Sequence, residues 1–236
     1  MEMIGNAGEL IMIAAPQKMG KTPLGLSLFS LGFMHWGENI HWISPKMKKS
    51  EIKNMLVRHL SKKIFGDYEN SQIRREFILQ FMEVFDIEKK IIEFHSEDNI
   101  CSFFSQFEQS NSTNLPDFLI IDDIKNLIQH NNSNINSIII ELKKIANKLG
   151  IRIIALYECD FSNKMGTKFD FLKLEFDFNA ELVDTLCFIY RPEYFKIPYY
   201  DNGQSTLGDA SFLVYKNNQL MCEYLMKYDP LNFRFY

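Results

Sequence analysis

The chain has 236 residues, 46% of them hydrophobic, which is ample for a core and suits one α/β domain better than two small ones. Its net charge of −4 does not advertise nucleic-acid binding, so any such binding must come from a local patch. Four scattered cysteines (Cys101, Cys159, Cys187, Cys222) form no C-x-x-C pair, which argues against zinc and a disulfide framework and suits a reducing cytoplasm.

No apolar run is long enough to span a bilayer, and the first residues lack a signal-peptide pattern. The elements begin with Gly8-Glu9-Leu10-Ile11-Met12-Ile13-Ala14-Ala15-Pro16-Gln17-Lys18-Met19-Gly20-Lys21-Thr22. Ile11, Met12 and Ile13 form a continuous apolar run, as expected for a strand covered on both faces. Ala15, Pro16, Gln17, Lys18, Met19, Gly20, Lys21 and Thr22 then fit a phosphate-binding loop, with Ala15 where the first glycine usually stands. Gly20 has no Cβ to hold phosphate oxygens away and tolerates positive φ. Loop N–H groups and the start of the next helix make an anion nest. In this reading Lys21 reaches the β- and γ-phosphates of a nucleotide, and the Thr22 hydroxyl binds Mg2+. The alternative is an ordinary strand–loop–helix turn. The phosphate loop is favoured by the apolar helix that follows (Leu24, Leu26, Leu28, Phe29, Leu31, Phe33), with Pro23 in its first turn.

Residues 39–44 read as a second strand, entered at Gly37. His41 reads as an alternating strand residue, because no second His or acid stands at ligand spacing. A helix over 51–65 puts Ile52, Met55, Leu56, Leu60 and Ile64 on one face. Lys46, Lys48, Lys49, Lys53, Arg58, Lys62 and Lys63 make this the most basic segment, either a solvated face or a contact for a partner or nucleic acid. A third helix is expected over 71–89, a strand over 91–95, and a short helix over 99–107. A polar link, 109–114, leads to an apolar strand that ends in Asp122-Asp123. Asp122 suits the Walker B role, accepting from Mg2+-bound water behind Thr22.

Residues 129–136 read as a mobile polar loop. A helix over 138–149 follows, capped by Gly150, and then a buried strand over 151–156 that ends at Tyr157-Glu158. Residues 159–179 read as a long, partly ordered loop, 183–190 as a strand and 192–208 as loop. Residues 211–215 and 220–226 form a hairpin across Asn217-Asn218. No repeat or linker divides the chain. These elements predict a twisted, mostly parallel sheet flanked by helices, with the runs starting near Leu10, Ile40, Phe118 and Ile151 at its centre.

The order of elements resembles the C-terminal motor domain of DnaB-type replicative DNA helicases, a branch of the RecA-like ATPases, over nearly the whole chain. The resemblance is carried by Gly8-Glu9-Leu10-Ile11 with Met19-Gly20-Lys21-Thr22, by Ile120-Ile121-Asp122, and by Glu141-Leu142-Lys143-Lys144-Ile145-Ala146 followed by Ile154-Ala155-Leu156. Its most distinctive part runs from Asp184 through an apolar stretch to Tyr190-Arg191-Pro192-Glu193-Tyr194. The resemblance implies one RecA-like P-loop NTPase domain over residues 1–236, without the N-terminal helical domain of full-length members. It also implies ATP and Mg2+ as ligands, single-stranded DNA and further copies of the chain in a hexameric ring as partners, and a cytoplasmic protein away from membranes.

The departures from the family pattern bear on turnover. Where the family carries a catalytic Glu after the second strand, this chain has Ser44-Pro45-Lys46-Met47, and a lysine does not serve as that base at neutral pH. The Gln that reads the γ-phosphate is replaced by Glu158. Of the late Lys-x-Arg-Asn that serves a neighbouring subunit's nucleotide, Lys216-Asn217-Asn218 keeps only the lysine, so the arginine finger is missing. The residues expected to carry turnover are therefore Lys21, Asp122, Asp123 and Glu158. Asp123 is the candidate substitute acid, Thr22 and Asp122 the metal ligands, and Lys216 a further nucleotide contact. Two functions follow: an ATP-driven motor on single-stranded DNA, or a nucleotide-binding but catalytically weak relative acting as adaptor or regulator in DNA replication or mobile-element maintenance.

Overall fold

A computed structural model describes residues 5–32, 34, 37–65, 71–94, 100–110, 115–131, 134–159, 176–229 and 234–235. In chain order the elements are β1 (Leu10–Ala15), α1 (Lys21–Leu31), β2 (Ile40–Ser44), α2 (Lys49–Phe65), α3 (Ser71–Val84), α4 (Ile87–Lys90), β3 (Ile91–Glu93) and α5 (Ile100–Ser110). They continue with β4 (Phe118–Asp122), α6 (Ile124–Asn131), α7 (Ile135–Leu149), β5 (Arg152–Glu158), β6 (Thr185–Tyr190), β7 (Asp209–Lys216), β8 (Gln219–Asp229) and β9 (Arg234–Phe235). The strands lie side by side in the order β3-β2-β4-β5-β1-β6-β7-β8-β9. From β3 to β6 every pairing is parallel, and from β6 onward every pairing is antiparallel. The four runs expected at the centre are there, as β2, β4, β5 and β1.

The continuous apolar strands follow from burial on both faces. Along β1, Leu10, Met12 and Ala14 enter one core with Leu119, Ile121 and Ala155, beneath Phe104 and Phe107 of α5 and Ile138, Ile139 and Leu142 of α7. Ile11, Ile13 and Ala15 enter the other core with Trp42, Ile120 and Leu156, against Leu26 and Phe29 of α1, Leu56 and Leu60 of α2, and Ile78 and Met82 of α3. The period of two thus splits one apolar run between two helical layers. Gly25 lets α1 sit close: a Cβ there would stand 2.8 Å from the Trp42 ring and 3.1 Å from Leu156.

Several boundaries differ from the sequence reading. The helix expected over 71–89 stops at Val84, because Asp86 adopts left-handed φ (50°), which a right-handed helix cannot pass through; a separate turn, α4, follows. Part of the expected polar loop is helical: α6 runs through Asn131, held by buried Ile124 and Leu127. α7 begins three residues earlier than expected, because the Asn134 side chain accepts from Ser137 N–H and caps it. Gly150 caps its other end at φ 65° as expected. Pro192–Phe195 forms a 3-10 turn within the expected loop. The hairpin is longer than expected and turns at Asn217 and Asn218, both at positive φ (50° and 59°), the backbone that a tight two-residue turn demands. The end of the expected strand at residue 95, the polar stretches 111–114 and 132–133, and most of the expected loop, 160–175, lie outside the described residues. No helix among the described residues is long and apolar enough to cross a membrane.

Candidate functional site

Because β1, β2, β4 and β5 are parallel, their carboxyl ends meet at one edge of the sheet, where open α/β sheets bind ligands. The segment after β1 supplies Pro16 to Gly20; β4 supplies Asp122 and then Asp123; β5 supplies Glu158; and the turn after β2 supplies Lys46. Together they border a cavity of about 350 Å3, lined by Gln17, Lys18, Gly20, Lys21, Thr22, Lys46, Asp122, Asp123 and Glu158. Met47, Met55, Pro23 and Tyr228 complete its walls.

The loop is built by backbone conformations that its sequence permits. Lys18 and Gly20 both have positive φ (63° and 108°). Gly20 serves as the N-cap of α1, with no side-chain hydrogen bond to the helix's first N–H groups. Those N–H groups stay available to an anion, with the positive end of the helix dipole behind them. Met19 N–H closes the loop onto Pro16 O at 3.4 Å.

Lys21 is 7% exposed. Its ammonium donates to Ala15 O and Pro16 O, both at 2.9 Å, and stands 3.9 Å from a Glu158 oxygen. Burial lowers its pKa, against the opposing pull of Asp123 and Glu158. The Thr22 hydroxyl donates to Asp122 Oδ2 at 2.8 Å, joining residues a hundred positions apart in the chain. Burial pushes the Asp122 carboxyl up to about 6, although the Thr22 hydrogen bond pulls the other way. Asp123 is also raised, again chiefly by burial, and its Oδ1 accepts from Lys125 N–H at 3.0 Å. A half-buried hydroxyl paired with a buried carboxylate beside an anion nest fits Mg2+, which is ordinarily held by one or two protein oxygens plus substrate phosphates. Thr22 and Asp122 are the residues that can hold it.

Of the site residues expected from the sequence, Ala15 through Thr22, Asp122, Asp123 and Glu158 converge on this edge, whereas Lys216 does not join them. β7 runs antiparallel to β6, so its last residue lies at the opposite edge of the sheet. There the Lys216 ammonium meets Glu9, just before β1, at 3.4 Å. Lys216 thus stands away from the cavity of its own chain, and the sequence reading assigned it to a neighbouring subunit's nucleotide.

The structure also adds residues that the sequence reading did not place here. β8 reverses direction again, which brings Tyr228 to the cavity wall. The Arg191 guanidinium lies 4.0 Å from the Tyr228 ring centre, donates to Lys18 O at 3.3 Å, and pairs with Glu193. Phe235 of β9 packs on Tyr228, with ring centres 4.8 Å apart, and closes the outer side of Gly20, where an added Cβ would stand 2.8 Å from its ring. Arg191 lay in a recognisable motif, but nothing in the sequence paired it with Tyr228; that pairing depends on strand direction.

The fold has known counterparts. One solved ATPase domain is similar over 98% of this chain and 85% of its own, at 17% identity and a TM-score of 0.72. A DnaB-like replicative helicase, solved in a study of its interactions with primase, aligns over 98% of this chain at 18% identity and a TM-score of 0.73; the match spans 59% of that helicase. A KaiC-like protein from the hyperthermophilic archaeon Pyrococcus horikoshii aligns over 98% of this chain and 90% of its own, at 13% identity and a TM-score of 0.64. No curated protein matches the sequence. These neighbours make the fold that of a RecA-like ATPase domain. The family model for the DnaB-like helicase C-terminal domain matches residues 5–223, and the chain belongs to that family.

Proposed function

We propose that this chain binds Mg-ATP in the cavity at the carboxyl edge of the sheet and hydrolyses it slowly, as the nucleotide-driven part of an assembly that acts on single-stranded DNA. The observation that carries this reading is the Thr22–Asp122 hydrogen bond of 2.8 Å beside a buried Lys21 and a positive-φ Gly20. In this reading the loop N–H groups and Lys21 hold the β- and γ-phosphates, and burial strengthens each of those contacts. Thr22 and Asp122 would hold Mg2+, which would supply charge neutralisation to the phosphoryl oxygens. Asp123 and Glu158, both lining the cavity, are the carboxylates available to orient the attacking water. Assembly with further copies of the chain and contact with single-stranded DNA rest on family membership. With a net charge of −4, contact with DNA would have to come from a local basic patch.

A second reading, a nucleotide-binding regulator with little turnover, is favoured by Lys46 in the cavity where the resemblance calls for a carboxylate. One experiment separates them: nucleotide affinity and steady-state ATPase, with and without single-stranded DNA, for the natural chain and Lys21→Ala. The motor reading expects hydrolysis stimulated by DNA and lost in the variant. Tight binding without DNA-stimulated turnover selects the regulator. Unchanged affinity and turnover in Lys21→Ala overturns both, because that change removes the cation facing the phosphates.

A further inference from the structure

Lys46 has no role in either reading beyond displacing an acid, yet its position gives it one. It stands on the turn after β2, exposed toward solvent, and lines the same cavity as Lys21, Thr22 and Asp122. The turn is held in shape: Ser44 Oγ, buried at the end of β2, accepts from Met47 N–H at 2.9 Å, so the residue between Pro45 and Met47 is carried on a fixed backbone. Among the described residues no carboxylate lies within ion-pair distance of the Lys46 ammonium, whereas Lys53 on the helix that follows is paired with Glu88 at 2.9 Å.

The strand order bears on which end of a nucleotide Lys46 would face. The strands run β2-β4-β5-β1. The phosphate loop follows β1, the Thr22–Asp122 pair marks the metal position at the end of β4, and β2 lies one strand further on. One cavity runs from the loop residues past Thr22 and Asp122 to Lys46, so a polyphosphate held in the loop with its metal at Thr22 and Asp122 would extend its terminal phosphate toward the β2 side. A diphosphate would lack the group that reaches it.

We propose that Lys46 is a γ-phosphate sensor, so that this site discriminates nucleoside triphosphate from diphosphate through a cation carried by its own chain. The proposal rests on the nucleotide-site reading above and deepens it. A cation beside the terminal phosphate binds the ground state, where the charge on that group is already full. In a loose phosphoryl transfer the negative charge moves toward the leaving oxygen, so the same cation gives little acceleration. Lys46 thus favours holding ATP over consuming it, and departure of the γ-phosphate removes its partner and weakens the product complex.

The test is equilibrium binding of the Mg2+ complexes of the β,γ-imido analogue of ATP and of ADP, to the natural chain, Lys46→Met and Lys46→Arg. Lys46→Met is expected to lose about tenfold or more in affinity for the triphosphate analogue, the size of one charge-assisted hydrogen bond, while ADP affinity stays within about twofold. Lys46→Arg is expected to keep most of the preference. Equal losses for both nucleotides in Lys46→Met would overturn the sensor, because the charge would then be acting on the whole site. An unchanged triphosphate-to-diphosphate ratio would overturn it as well. Failure of the nucleotide-site reading looks different: the natural chain would bind neither nucleotide, or would bind both equally well after Lys21→Ala.

Discussion

Three side chains that line the cavity bear on the proposed chemistry. Asp123 and Glu158 bring carboxylates to it, and Lys46 brings a cation where a water-orienting acid would serve. Lys46→Glu is therefore expected to raise kcat by about a hundredfold under saturating Mg-ATP and single-stranded DNA, the lower end of the range for a positioned general base. Asp123→Ala should lower it. Family-like turnover in the natural chain, with no gain in the first variant and no loss in the second, would put the catalytic acid elsewhere. Away from the site, His41 titrates against its surroundings. Burial, with a smaller contribution from Lys90, holds its pKa down at about 4 against an ordinary 6.5, and its ring packs edge-on to Phe107. Between those two values the unfolded chain binds the proton and the folded chain does not, so stability falls as pH drops through that window. The urea midpoint should fall from about pH 7 to about pH 4.5, and His41→Leu should flatten that part of the profile. An identical slope in the variant would assign the loss to other groups.

At the level of elements, α1 is the piece that couples core to site. Its first residues are Lys21 and Thr22, and its body lies on β2 and β5 through Gly25, Leu26 and Phe29. Phe29 meets Trp42 edge-on at 6.1 Å, and Gly25 leaves room for the same indole. Trp42 is fully buried and rigid, so an added side chain cannot be absorbed by a flexible tip. Gly25→Val is expected to cost about 1–3 kcal/mol in chemical denaturation, more than the better helix propensity returns. Because the helix would be pushed off the sheet at its first turns, nucleotide affinity should fall with stability. A variant with full stability and full affinity would show that the contact with Trp42 is slack.

Across the whole molecule, strand direction decides which residues share a site. Residues at the carboxyl ends of the parallel strands meet, and Lys216, at the far end of an antiparallel strand, is held at the opposite edge by Glu9. Any part it plays at a nucleotide must be at one bound to another copy of the chain. Lys216→Ala should leave nucleotide affinity unchanged for the dilute, unassembled chain. A loss of affinity there would mean that the ion pair with Glu9 supports the phosphate loop through β1. Phe235 and Tyr228 work the other way: they lie far from the phosphate loop in sequence and form its outer wall, because β8 runs parallel to β1 and β9 folds back along it.

The sequence by itself determined the parts of this protein that depend on neighbouring residues. The apolar runs of β1, β2, β4 and β5, the Gly20-Lys21-Thr22 turn into α1, the Gly150 cap and the two-asparagine hairpin turn are local patterns, each with a local physical cause, and each stands where it was expected. Family membership was legible for the same reason, since the motifs that carry it are short stretches with fixed chemistry. The tertiary structure decided what depends on direction and distance. It brought Glu158 to Lys21, Tyr228 to the cavity and Arg191 to Tyr228, and it kept Lys216 away. It also decided that residues 129–131 are helical, since their helix is held by Ile124 and Leu127 against a core assembled from α7 and the sheet. Polar composition argued for a loop there, and burial of two side chains on a face formed only in the folded chain outweighed it.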